Sequence, residues 1–211
     1  MYLLGGIFSI FLFVFVSLMD LETLRKEEKI KISLKSLKNY YNLLHFILIT
    51  FINMYLMTVF FDNGTLYTIS LLCFMCTYIC SITDICCKNI FLNIVFIFAI
   101  LIFFLNIYGN YIKISALGLI AGMLLYGIIY ILSRYFYGAE VFGVGDIYIL
   151  ALIGFSTDLG TVLYIGLFTF VVAGIFYFIK FVFVRDLESF RKEEIPLVPF
   201  ILVSYLALIY F

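Results

Sequence analysis

Apolar residues in this chain come in near-continuous runs broken by short polar stretches. Eight runs approach the roughly 20 residues that a helix needs to cross about 30 Å of hydrocarbon. They cover residues 2–19, 42–61, 66–83, 90–108, 112–133, 146–158, 161–183 and 196–211. Each predicts a helix that is hydrophobic all round, the pattern of a segment surrounded by lipid or by other apolar helices. The sixth run is short and is expected to lie partly sunk within protein. The only sizeable polar piece runs from Asp20 to Asn42. There Leu34, Leu37, Tyr41 and Leu44 recur at helical spacing among lysines. That spacing fits a helix lying on the inner membrane surface; a solvated charged linker fits it equally.

The polar stretches set an orientation. With the N-terminus outside, residues 20–41, 84–89, 134–145 and 180–195 face the cytoplasm. These segments hold all of the 13 lysines and arginines except Lys113. Such a bias is the signature of positive charge retained inside. Composition agrees: 66% of residues are hydrophobic and 12% charged, and mean hydropathy is +1.22. The fold class expected is an all-α polytopic membrane protein in the cytoplasmic membrane, with the lipid bilayer as its main partner. A formal net charge of zero argues against nucleic acid. The first run lacks a basic flank and a small-residue cleavage site, so it reads as a span and not a removable signal. Residues 1–65 would form two spans with the basic linker 20–41 between them, and residues 66–211 a six-span core, within one membrane domain.

Two acids stand apart from the loop charges. Asp84 ends the third run and Asp146 opens the sixth. The third run heads inward and the sixth outward, so both carboxylates arrive at the same cytoplasmic boundary. Ionisable groups at membrane depth tend to face the bundle interior and carry function. A carboxylate pair at one depth shares a proton and activates water. The plainer alternatives are a helix cap for Asp146 and an ordinary loop acid beside Lys88 for Asp84. Gly143 and Gly145, just ahead of Asp146, permit backbone conformations or close approaches that a Cβ blocks. Asp146 starts a helix, where the dipole favours negative charge, and is the expected base; Asp84, ending one, is the expected acid.

Cys73, Cys76, Cys80, Asp84 and Cys87 follow one another at helical spacing and share one stripe. A closed zinc site is not expected from this stripe, because the single histidine, His45, is remote. A small, polarizable packing face that turns Asp84 inward is the better reading. Gly118 and Gly122 form a small-xxx-small pattern suited to helix contact.

Three blocks, "TDICCKNI" (83–90), "GAEVFGVGDIYILALIG" (138–154) and "IPLVPFILVSYLAL" (195–208), resemble the type IV prepilin peptidase family, membrane aspartic proteases of the GxGD type. The resemblance covers residues 66–211. It implies catalytic roles for Asp84 and Asp146, and site-shaping or substrate-positioning roles for Gly143, Gly145, Glu140 and Lys88. Its substrates would be prepilin or pseudopilin helices, cut after a basic leader, with no metal or other cofactor. Phe91 and Leu92 stand where the first block usually has Pro and Asn, and Tyr148 where the second often has Lys. The linker 20–41 has no cysteine, whereas bacterial members often carry two CxxC pairs there that bind zinc and are linked to N-methylation. Methyl transfer is therefore not expected. Competing functions are a GxGD protease for preflagellin-like or other membrane substrates, and an ion-coupled transporter with Asp84 and Asp146 as its cation site.

Overall fold

The computed structural model describes residues 2–27, 29–31, 41–137, 143–183 and 195–209. Among them the chain is helical throughout: α1 Tyr2–Leu18, α2 Leu21–Glu27, α3 Tyr41–Val59, α4 Gly64–Cys87, α5 Leu92–Tyr108, α6 Ile112–Tyr137, α7 Val144–Ser156, α8 Leu159–Phe183 and α9 Val198–Leu208. Apart from α2, each helix occupies one of the apolar runs. Four of them, α3, α4, α6 and α8, are long and apolar enough to cross a membrane, and α1, α5, α7 and α9 are shorter apolar helices. The chain is a membrane-embedded helical protein.

α4 is the axis of the bundle. Its apolar stretch is 89% buried, against 22–28% for α3, α6 and α8, and it touches α1, α2, α3, α5, α7 and α9. Its sequence suits that position. Cys73, Cys76, Thr77 and Cys80 are small and fully buried. The Thr77 hydroxyl donates to the Cys73 and Phe74 carbonyls at 2.9 and 3.1 Å, which satisfies a polar group where no water reaches. Asn63 starts α4 by accepting the Thr65 and Leu66 N–H groups, a side-chain cap. The outer helices leave large residues uncovered. Phe51, Phe104 and Phe178 are 73%, 63% and 68% exposed, a load of apolar surface that lipid accepts and water does not.

α6 and α7 run antiparallel with their backbones in contact. A Cβ on Gly118 would strike the Gly154 carbonyl oxygen, and one on Gly154 would strike that of Gly118; one turn on, a Cβ on Gly122 would lie 2.6 Å from the Leu150 carbonyl oxygen. Glycines allow this closeness, and dispersion across it stands in for the hydrophobic effect that lipid removes. At 13 residues, α7 is roughly 20 Å long, too short to cross hydrocarbon alone. It packs against α4, α5, α6, α8 and α9, which bury it from Ile149 to Ser156, while Val144 at its start is exposed.

The polar piece after α1 departs from the expected surface helix in part. Asp20 caps α2, accepting the Glu22 and Thr23 N–H groups and, at 2.6 Å, the Thr23 hydroxyl. The Thr23 hydroxyl bond is the main reason the exposed Asp20 carboxyl sits below its ordinary pKa. Leu24 is buried, and α2 packs on α4. Leu34 and Leu37 lie outside the described residues; Leu44, within α3, is exposed. One core cluster runs from Leu12 through α4 to Ile209, so α1 and α3 belong to the same body as the rest.

Candidate active site

α4 continues one turn past the predicted end of the third run. This places Asp84 inside the helix and not at its edge, and it is 7% exposed. The helix closes at Lys88, whose φ of 53° and ψ of 32° put it in the left-handed region. The Lys88 N–H donates back to the Asp84 carbonyl at 2.9 Å, a usual way to stop a helix. The Asp84 side chain reaches across to α9: its Oδ2 accepts the Val198 N–H at 3.0 Å. Pro196 and Pro199 bracket that donor, with Pro199 in the first turn of α9, where a missing N–H costs little.

Asp146 is the third helical residue of α7 and is 5% exposed. Its Oδ2 accepts the Gly143 N–H at 3.0 Å, and its own N–H donates to the Gly143 carbonyl at 3.1 Å. This is the acidic half of a capping box, so the capping role open from sequence is real. It accounts for one oxygen only. Oδ1 of Asp146 is buried and has no hydrogen-bond partner among the described residues. Such an atom is costly to leave unmatched, and a site that takes in water or a peptide group would use it.

The two aspartates stand on contacting helices although 62 positions separate them in sequence. α4 and α7 are in contact, and a charge on Asp84 acts on Asp146. Each carboxylate is gripped by the N-terminus of a helix, Asp84 by α9 and Asp146 by α7. The sequence places Asp84 only at a helix end that disfavours negative charge. The α9 donor removes the expected asymmetry, so helix ends do not decide which residue is the base.

The neighbours divide. A Cβ on Gly145 would lie 2.6 Å from Cδ1 and 2.9 Å from Cβ of Ile90, so this glycine lets α7 press against the turn after α4. Gly143 has an ordinary extended backbone, φ −73° and ψ 152°, and a Cβ there would make only ordinary contacts, 3.7 Å from Oδ2 of Asp146; its contribution is the N–H it gives Asp146. The Lys88 charge acts on Asp84. Glu140 lies outside the described residues. Cys73, Cys76 and Cys80 are buried thiols and Cys86 and Cys87 half-buried ones, none of them in a disulfide. Among the described residues no three metal-ligating side chains converge. Sequence reasoning missed the Val198 N–H, to which the two prolines were the only pointer, and the buried Tyr126, which feels the charge of Asp146.

The left-handed turn at Lys88 separates its backbone role from its charge. Lys88→Gly is expected to hold or raise the melting temperature in detergent, since glycine takes this conformation freely. Lys88→Val should cost about 1–2 kcal/mol. Equal melting temperatures for the two would show that the turn carries no strain.

No family model, no curated protein and no solved structure matches this chain.

Proposed function

We propose that the chain is a multi-pass aspartic endopeptidase of the cytoplasmic membrane, of the prepilin peptidase kind, that removes the basic leader from prepilins or pseudopilins. The observation that carries this function is the placing of Asp84 and Asp146 on the contacting helices α4 and α7, both more than nine-tenths buried, with Oδ1 of Asp146 unmatched among the described residues. Aspartic chemistry needs this arrangement. One carboxylate takes a proton from water as the oxygen attacks the scissile carbonyl carbon. The other donates its proton to the carbonyl oxygen. The tetrahedral intermediate then collapses, the C–N bond breaks, and a proton passes to the leaving amine. Water is activated by carboxylate, so the reaction calls for no metal.

In this function α1 and α3 to α9 are eight spans with the N-terminus outside. The distribution of Lys and Arg supports that orientation. It puts Asp84, Asp146, Lys88 and α2 near the cytoplasmic face, where a leader would be cut. The apolar helix of the substrate would arrive sideways through lipid.

The test is co-expression of the full chain with a prepilin bearing a basic leader, a glycine and an apolar run, read by intact mass. The leader should be lost, with no further enzyme-dependent gain of about 14 Da, the mass of one methyl group. Retention of the leader would overturn the peptidase, and a methyl gain would overturn the absence of methyl transfer.

A further inference from the structure

The contact between α6 and α7 has a regular register. Gly118 meets Gly154, and Gly122 meets Leu150. The helices run antiparallel, so each turn forward in α6 is one turn back in α7. One more turn brings Tyr126 opposite Asp146. Two further facts agree. Tyr126 and Leu150 both border Gly166 of α8, and the charge of Asp146 is felt at the Tyr126 phenol.

Tyr126 has no solvent exposure. Its hydroxyl donates to the Gly166 carbonyl at 3.3 Å, a long bond for a hydroxyl. Its ring packs on Phe170, centroids 5.4 Å apart. The ring is thus clamped to α8 while its body stands across from the carboxylate. Asp146 is fixed through Oδ2 alone, by the Gly143 N–H. A side chain held at one oxygen still needs a wall to fix its rotamer and to keep water from its far side.

We infer that Tyr126 is a positioning residue for Asp146: its ring walls off the α6 side of the carboxylate and keeps the buried, unmatched Oδ1 facing the site. This inference rests on the proposed peptidase for its kinetic consequence, but its geometry has a readout of its own. The ring carries the role and the hydroxyl serves only to anchor it.

Two experiments on the full-length protein test it. First, a thiol introduced by Asp146→Cys is probed with a small methanethiosulfonate, whose rate follows access to the sulfur. Adding Tyr126→Ala should speed labelling about ten-fold or more, because reactivity follows exposure, while adding Tyr126→Phe should leave it near the parent rate. Equal labelling in all three backgrounds would overturn the wall, whether or not the chain cleaves prepilin. Second, in the otherwise unmodified enzyme, Tyr126→Ala should lower kcat about 100-fold, the scale of a small misplacement at a reacting group, with KM little changed and the pH profile displaced. Tyr126→Phe should recover most of the rate and the parent profile. A parent pH profile in Tyr126→Ala, or a Tyr126→Phe as slow as Tyr126→Ala, would overturn the positioning role. Should Tyr126→Ala fail to fold, Tyr126→Leu takes its place with the same expectations. Absence of cleavage by the parent enzyme would sink the peptidase and leave the labelling result standing.

Discussion

Asp84→Asn and Asp146→Asn are each expected to reduce leader removal by about 10²–10⁴-fold, the range a positioned acid or base contributes. Asparagine is the informative replacement. Asp84 accepts the Val198 N–H and Asp146 the Gly143 N–H, each at 3.0 Å, and an amide oxygen preserves both bonds. Alanine would abolish cleavage as well, but at Asp84 it leaves the buried Val198 N–H without an acceptor, at a cost of about 1–3 kcal/mol. Loss of activity in the alanine variants would then mix chemistry with folding. Asp158→Ala supplies the control, because that exposed carboxylate bonds locally, to Thr161 in the first turn of α8. Cleavage at the parent rate by either asparagine variant would remove that residue from the catalytic pair.

The second large effect is predicted for a single methyl group at the crossing of α6 and α7. Gly118→Ala and Gly154→Ala each drive a Cβ into a backbone carbonyl of the facing helix, which has no rotamer by which to yield. Each should destabilise by about 1–3 kcal/mol, as overpacking does. Each should also depress cleavage, since the displaced helix carries Asp146. Gly127→Ala, in the same helix, meets no atom within 4 Å. It should be neutral or stabilise by up to about 1 kcal/mol through helix propensity. Melting curves in detergent decide the matter: similar midpoints for Gly118→Ala and Gly127→Ala would mean that the crossing yields easily.

The helices were readable because lipid imposes a coarse demand. A run such as residues 90–108 has one available structure once water is excluded, and α5 occupies most of it. The pairing of Asp84 with Asp146 was readable for a related reason, since alternating span direction fixes which helix ends share a depth. Other features left no such trace. The grip on Asp84 comes from a backbone N–H of Val198, and every residue but proline has one, so only the flanking Pro196 and Pro199 hinted that this N-terminus was special. Gly118 and Gly122 announced a contact without naming Gly154 as its other side. Tyr126 lay hidden in an apolar run where aromatic residues are common. Gly143 and Gly145 were expected to allow an unusual backbone, a close approach or N–H groups turned to Asp146; Gly143 keeps an ordinary backbone and gives its N–H, and Gly145 makes the close approach.

The bond between Asp84 and Val198 spans 114 positions, and that separation has a consequence for how the protein is made. At about 5–20 residues per second, the ribosome delivers Val198 roughly 6–23 s after Asp84. Through that interval α4 is in place and α7 has time to follow, but the donor that seats Asp84 does not yet exist. The seat of the Asp84 carboxyl is therefore completed late, with the arrival of α9. A nascent chain that already holds both aspartates lacks the Val198 donor to Asp84 until α9 is made.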